Sequence, residues 1–511
     1  MYPLENMKYM KNMKHTVKIT FTREKVEIEV PEGTNLLSAM RGAGIFVETP
    51  CNGAGLCGKC LVDLDGRPQR ACSCVVTRDV RVTTPPSKGK IVSADEGISA
   101  GWETDDRDRA HAHENSGMGL AVDLGTTVIS ACLADLRTGE TAARASCLNP
   151  QTEYGGDVLT RAGFCRGKPE NLKKLRDLVL QAINGLVEEM IRDAEERRSI
   201  RQVSLAGNTI MEHIFAGFDP TPLTGVPFQP AFEGALELPP SGLRVAPDAR
   251  VFLAPCVSAF VGGDITAGIA ASGFTREKGN GLFIDIGTNG EIVLRLRGKM
   301  YGTSTAAGPA FEGMNISCGV RAVPGAIERV FTDETGKITF ETIDGLPPVG
   351  VCGSGLLDLT AALLRTGIID ETGFMARCPD GQYPLAEGLA LSQKDVRQVQ
   401  LAKGAVAAGV TTLLTAAGAS YEELDSLSLA GAFSFHLNLE SLKTIGLIDP
   451  RFRGTARFIG NTSLEGARLS LLSRKFREEL LSAARKIKPV ELSGRSDFQE
   501  NFLKAMQFPR L

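Results

Sequence analysis

Apolar residues first fall into a regular pattern at Val17, Ile19 and Phe21, each separated by one polar residue. After the polar quartet Thr22-Arg23-Glu24-Lys25 the alternation resumes at Val26, Ile28 and Val30. A period of two on both sides of a short polar break predicts a β-hairpin with one buried face. Thr34 is then placed to cap a short helix carrying Leu36, Leu37 and Met40. Leu61 to Leu64 and Val80 to Val82 read as further strands, and Pro85-Pro86 closes the segment. Hairpin, helix, cysteine-rich loop and strands in that order predict a small β-grasp domain over residues 15–86, preceded by a leader of residues 1–14.

Residues 87–117 are polar, charged and aperiodic, the composition of a flexible linker. From Gly119 the pattern turns to alternating strands and helices. Leu172, Leu175, Val179, Ile183, Leu186, Met190 and Ile191 keep helical spacing on one face, and an apolar strand, Val203 to Ala206, follows. A long-range repeat is also present. Ala121-Val122-Asp123-Leu124-Gly125-Thr126-Thr127 leads into an apolar run from Val128 to Leu133, and Phe283-Ile284-Asp285-Ile286-Gly287-Thr288-Asn289 leads into Ile292 to Leu294. Two lobes on one plan are expected, over residues 118–275 and 276–511, the second with a C-terminal extension.

Composition adds bounds to this outline. A chain of 511 residues exceeds one ordinary core, and 43% hydrophobic with 23% charged residues suits a globular protein. No run approaches the roughly 20 uninterrupted apolar residues of a spanning helix. The leader has charge but no apolar run after it, so neither a secretory signal nor a membrane partner is expected, and the expected compartment is cytoplasmic. A net charge of -3, with one Trp and six Tyr, supplies neither the basic surface nor the stacking platforms of a nucleic-acid binder.

Cysteine usage is the first chemical signal. Five of the twelve cysteines lie between Cys51 and Cys74. Cys51, Cys57 and Cys60, within CNGAGLCGKC, are separated by five and two residues, and Cys72 follows after eleven more. Four thiolates, three from one loop and one from a later segment, suit a [2Fe-2S] cluster. Gly53, Gly55 and Gly58 let the backbone wrap and aim amides at the inorganic sulfurs. A four-cysteine zinc site usually shows two short-spaced pairs, and only Cys57 and Cys60 form one here. Spacing leaves Cys72 and Cys74 both open as fourth ligand, with Cys72 favoured. The seven remaining cysteines read as small buried hydrophobes.

The repeated Asp-x-Gly-Thr supplies the second signal. A strand ending in Asp and turning through Gly-Thr puts a carboxylate, amides and a hydroxyl at one corner, able to hold a phosphate while Asp123 or Asp285 engages Mg²⁺. Gly125, Thr126 and Thr127 in one copy, and Gly287, Thr288 and Asn289 in the other, are the candidate phosphate cradle. These loops resemble the phosphate loops of the acetate kinase, sugar kinase, heat-shock-70 and actin superfamily. The resemblance implies two RNase-H-like lobes clamping ATP, and an adenosine loop at Leu429 to Phe433 around Gly431, with Gly460-Asn461 nearby.

A ferredoxin-type module joined to such a core, together with LAGNTIMEH, PCVSAFVGGDITAG, DIGTNGE, AAGPAFEG and CGSGLLD, resembles the reductive activators of corrinoid proteins over nearly the whole chain. That resemblance implies an ATP-hydrolysing iron-sulfur reductase that returns Co(II) to Co(I) on the corrinoid protein of a methyltransferase system, fed by an upstream low-potential electron donor. Larger relatives carry a middle segment associated with dimerisation. Only the polar stretch stands between Pro86 and Gly119, so that segment is expected to be missing, and a homodimer is left open. Two other readings suit the same residues: a small-molecule kinase with a redox-sensing cluster, and a non-catalytic nucleotide-binding scaffold. His213, in Met211-Glu212-His213, lacks the Asp of a cobalt-ligating motif and is expected to be a helix residue. The basic segment from Arg474 to Lys488 is expected to be a solvated helix face.

Overall fold

The computed structural model describes residues 16–43, 45, 60–84, 117–432 and 434–511. The chain divides into two compact units, Met1–Lys88 and Gly89–Leu511.

In the first unit the hairpin Thr16–Phe21 and Val26–Pro31 forms with the expected alternation of buried and exposed residues. Thr16–Phe21 also pairs in parallel with Val80–Thr83, and Leu61–Leu64 and Arg67–Arg70 complete a five-stranded sheet. Helix Leu36–Gly42 lies on this sheet and seals a core in which Ile19, Phe21, Leu36, Met40 and Val82 are all 0% exposed. The helix cap differs from expectation. Thr34 and Asn35 pair as a two-residue strand with Val75–Val76, and the Thr34 hydroxyl donates to the Pro31 carbonyl at 2.6 Å. Asn35 instead accepts from the Ser38 N–H at 3.2 Å, the contact by which a capping side chain satisfies a free first-turn donor.

The second unit is built on two six-stranded sheets of the same plan. In the first lobe, Met118–Leu124, Val128–Asp135 and Thr141–Leu148 form an antiparallel meander. Ile200–Gly207 and then Arg250–Cys256 add in parallel on the other side of Met118–Leu124. In the second lobe Gly281–Ile286, Gly290–Leu296 and Lys299–Thr305 form the meander, and Ser426–Ala430 and Thr455–Gly460 add in parallel. The sixth strands differ: Gly234–Leu238 is antiparallel to Arg250–Cys256, whereas Ile487–Pro489 is parallel to Lys299–Thr305. The central strands read as continuous apolar runs because both of their faces are covered.

Helices of both lobes pack across the boundary between them. Helix Gly263–Ala271 leaves the fifth strand of the first lobe, yet Ile265 and Ile269 pack with Phe283, Val293 and Ile459 of the second. Helix Thr462–Leu472 leaves the fifth strand of the second lobe, and Leu464 and Ala467 pack with Ala121, Cys132 and Ala206 of the first. The two helices cross at glycines: a Cβ on Gly466 would lie 2.5 Å from the Ala267 carbonyl oxygen, and one on Gly268 would lie 2.8 Å from the Thr462 hydroxyl. Helix Arg474–Lys486 also lies on the first lobe, burying Phe476 and Leu480 beside Phe252. Arg477 on that helix is only part-exposed, with its guanidinium 4.7 Å from the Phe252 ring centroid, so the basic segment is not solvated along its whole length.

Helix Gln393–Ala417 is long and apolar enough, by length and composition, to cross a membrane, and most of it is buried in the second lobe. Val396, Val399, Val406 and Val410 face the core there, which accounts for its composition.

Candidate functional site

A cleft of about 160 Å³ opens at the C-terminal ends of the central strands of both lobes. In open α/β sheets this is the edge where loops meet and ligands settle. Gly125, Thr126 and Thr127 line it from one lobe, and Gly287, Thr288 and Asn289 from the other. The two loops touch. The Thr127 and Thr288 hydroxyls are 2.7 Å apart, and Thr288 donates to the Glu312 carboxylate at 3.1 and 3.2 Å. Glu312 is also a hydrogen-bond partner of the Thr127 side chain, so either hydroxyl can be the donor in the contact between the two threonines.

Each loop is held in shape from behind. A Cβ on Gly125 would fall 2.4 Å from the Val128 carbonyl oxygen, so only glycine closes this corner. Asn149 donates to the Gly125 carbonyl at 2.9 Å, and Asn208 donates to the Thr126 hydroxyl at 3.1 Å. Gly431 lines the cleft with φ at +112°, and a Cβ there would lie 2.5 Å from the Ile286 carbonyl oxygen. Gly460 stands behind it, its carbonyl accepting from the Gly431 N–H at 3.1 Å.

Asp123 and Asp285 both face the cleft, with Asp264, Glu291 and Glu312 beside them. Asp123 belongs to the first lobe but is gripped by residues at the start of the helix after the fifth strand of the second: Asn461 donates to it at 2.8 Å and Ser463 at 2.9 Å. Burial, reinforced by Asp264 and Asp123, pushes Asp285 up to about 8. Burial, with Asp123 nearby, pushes Asp264 up to about 7. Burial likewise raises Glu312, and it holds Glu291 well above the usual carboxylate range. So many crowded carboxyls favour either protons or a bound divalent cation, and oxygen donors of this kind suit Mg²⁺.

Asp264, Glu291, Glu312, Asn208 and Ser463 were not singled out as site residues from the sequence, and Asn461 was placed only near the adenosine loop, not on Asp123. A signal exists for some of them. Asn208 and Asn461 each come directly after the end of an apolar parallel strand, and Asp264 is the only acid in PCVSAFVGGDITAG.

Of the cysteines, Cys51 and Cys57 lie outside the described residues. Cys60 is buried, and its carbonyl accepts from the Ala71 N–H at 2.8 Å, joining it to the turn that carries Cys72. Asn35 spans that turn, donating to the Cys72 carbonyl at 2.9 Å and the Cys74 carbonyl at 3.3 Å. Cys74 packs in the core, where burial pushes its thiol up, while Cys72 is part-exposed. A thiolate ligand is easier to form at Cys72.

His213 is a structural residue. Its Nδ1 is 2.7 Å from the Thr209 carbonyl oxygen, its Nε2 accepts from the Ala231 N–H at 2.9 Å, and its ring stacks on Phe232 with centroids 4.4 Å apart. Both ring nitrogens are committed, and burial lowers its pKa.

Residues 279–511 match the family model described as the C-terminal domain of RACo, the ASKHA domain. Residues 118–277 match the RACo middle region, and residues 19–81 the 2Fe-2S iron-sulfur cluster binding domain. The middle-region match coincides with the first lobe and does not extend into the polar stretch of residues 87–117. The chain is 32% identical over 419 residues to the corrinoid activation enzyme RamQ of Eubacterium limosum, spanning 76% of this chain and 70% of the relative. It is 28% identical over 408 residues to a Co(II) methylated amine-specific corrinoid protein reductase of Methanosarcina barkeri, spanning 72% of each. A solved structure described as a reductive activator for corrinoid, iron-sulfur protein superposes with a TM-score of 0.72 at 30% identity, covering 96% of this chain and 98% of that one.

Proposed function

The chain belongs to the family of reductive activators of corrinoid proteins, and we propose that it is an iron-sulfur reductase that uses ATP to return a partner's corrinoid from Co(II) to Co(I). The observation that carries this reading is the contact between Thr127 and Thr288 inside the cleft, because it joins the two lobes at the place where phosphates would bind. A ligand held by both loops changes the relation between the lobes and so biases the conformation of the whole core.

A [2Fe-2S] cluster, when bound, supplies the single electron, drawn in turn from an upstream low-potential donor. Cys51, Cys57, Cys60 and Cys72 are the proposed ligands. Plant-type clusters sit near roughly -400 mV, and each ~59 mV of uphill gap costs tenfold in a one-electron equilibrium. Reduction of a lower-potential corrinoid therefore needs a second source of free energy, and a nucleotide-driven clamp meets that need.

Within the cleft, the amides and hydroxyls of Gly125, Thr126, Thr127, Gly287, Thr288 and Asn289 hold phosphate oxygens. Asp123 and Asp285 hold Mg²⁺. Asp123 is fixed by Asn461 and Ser463, so a metal at that carboxylate is tied to both lobes. Burial favours the protonated form of Asp285, and a divalent cation reverses that preference. Gly431 and Gly460 are the proposed adenosine-side glycines, and the missing Cβ of Gly431 lets its loop lie against the Ile286 carbonyl and the Asp285 carboxylate.

The test is to mix the anaerobically reconstituted protein with a Co(II) corrinoid protein and a low-potential reductant, with and without Mg-ATP, and record the Co(I) absorption band. The band is expected only with Mg-ATP. Its absence with every corrinoid protein of the source organism would contradict the proposal.

A further inference from the structure

Arg161 is 0% exposed, a full guanidinium enclosed in the first lobe behind the phosphate loop. Its donors all go to neutral groups. Nε donates to the Gly155 carbonyl at 2.9 Å, Nη1 to Gln151 Oε1 at 3.2 Å and to Met211 Sδ at 3.4 Å, and Nη2 to the Thr126 carbonyl at 2.6 Å. No carboxylate among the described residues forms an ion pair with it. Asp157, the acid on its own helix, is engaged with Thr160, accepting from its N–H at 2.8 Å and its hydroxyl at 2.7 Å. The chain makes room for the guanidinium: a Cβ on Gly155 would lie 2.8 Å from the Arg161 nitrogen and 3.0 Å from its Cγ.

A buried charge is costly, and negative charge nearby offsets what its hydrogen bonds to neutral groups leave uncompensated. Burial pulls this guanidinium down to about 9, with Asp157 and the cleft residue Glu312 opposing the shift. The contact to Thr126 points to where further negative charge would act. The Thr126 carbonyl and the Thr127 N–H belong to one planar trans amide and point in opposite directions. With the carbonyl turned towards Arg161, the N–H is turned towards the cleft that Thr127 lines. A charged donor on the oxygen polarises the amide and strengthens its N–H as a donor.

We propose that Arg161 is a positioning residue that sets the phosphate affinity of the cleft, acting through the Thr126–Thr127 peptide and by its own charge. This rests on the reading of the cleft as a nucleotide site. It predicts that binding depends on Arg161 in proportion to the ligand's phosphates, not its base.

The experiment measures calorimetric binding of adenosine, ADP and a non-hydrolysable ATP analogue, in excess Mg²⁺, to the full chain and its variants. Arg161→Met is expected to weaken ADP and the analogue by about tenfold or more, the scale of one charge acting across a few ångströms of protein, and to leave adenosine unchanged. Arg161→Lys keeps the charge and should recover most of the lost affinity. Equal losses for adenosine and ADP, equal losses in the Met and Lys variants, or no loss would overturn the proposal. Should Arg161→Met fail to fold, Gln151→Glu decides: it sets a carboxylate against Nη1 and neutralises the charge internally. Weaker ADP binding with unchanged adenosine binding would support the proposal, and unchanged ADP binding would overturn it. An unsubstituted protein that binds no nucleotide at all would overturn the nucleotide reading, and this proposal with it.

Discussion

The hydroxyl of Thr127 lies 2.7 Å from that of Thr288, a residue 161 positions further along the chain. In the duplicated loop Thr288 corresponds to Thr126 and Thr127 to Asn289, so the two copies meet one residue out of step at the centre of the cleft. A bond between two lobes at their ligand-binding edge couples occupancy to closure. Thr127→Val and Thr288→Val are each expected to change nucleotide affinity. Their effects should be non-additive by about 0.5–1.5 kcal/mol, the scale of one buried hydrogen bond. A double-mutant cycle on ADP binding measures this coupling.

Asp123 reports on lobe assembly as well as on metal binding, because its two donors, Asn461 and Ser463, arrive from the far end of the chain. Asp123→Ala should abolish ATP hydrolysis and leave the visible spectrum of the cluster intact. Asn461→Ala should lower ATPase activity and also cost about 1–3 kcal/mol of stability, since it strips Asp123 of a donor and the helix Thr462–Leu472 of its cap. Phosphate release and thermal melts separate the two effects.

Cys72 and Cys74 lie on the same short segment with different surroundings. Cys72→Ser is expected to lose the cluster's visible absorption after reconstitution. Cys74→Ser should keep it and lower the stability of the domain by about 1–3 kcal/mol, because a hydroxyl replaces a buried thiol. Iron content and absorption spectra of the two variants distinguish them.

Gly431 has a φ of +112°, which side-chain-bearing residues rarely adopt. Gly431→Ala would strain the loop by about 1–3 kcal/mol and press a methyl group to 3.3 Å from Asp285 Oδ1. Loss of adenosine and ADP binding together is the expected outcome, in contrast to a phosphate-selective loss at Arg161. Titration calorimetry checks it.

Lys403 is 1% exposed, donates to the Gln507 carbonyl and lies 4.9 Å from the Phe508 ring centroid. Burial pulls its pKa from 10.5 down to about 7. Between those values the unfolded chain holds a proton that the folded chain has released, so the contribution of Lys403 to stability rises with pH from about 7 to about 10.5 and is flat outside that window. Lys403→Met should therefore gain on the unsubstituted protein at pH 7 relative to pH 10. Denaturant unfolding at the two pH values measures the difference.

Local chemistry was legible in the chain itself. The alternation of Val17 to Val30 specified a hairpin, the spacing of Cys51, Cys57, Cys60 and Cys72 pointed to a cluster loop within a segment that matches a 2Fe-2S domain, and the two Asp-x-Gly-Thr corners pointed to paired loops that line one cleft. Each depends on residues within a turn or two of one another, where side-chain period and backbone geometry leave few alternatives. Folding in three dimensions decided the rest. Asp264, Asn461 and Ser463 enter the cleft through the helices Gly263–Ala271 and Thr462–Leu472 at the lobe boundary, and Glu312 through the turn Pro309–Glu312, and no local pattern encodes which strand end will face which. The cap passed from Thr34 to Asn35 because Thr34 and Asn35 pair with Val75–Val76 and the Thr34 hydroxyl is turned to the Pro31 carbonyl. Arg161 became a buried charge behind Thr126 for the same reason: burial belongs to the assembled lobe, and a lone arginine in an amphipathic stretch carries no sign of it.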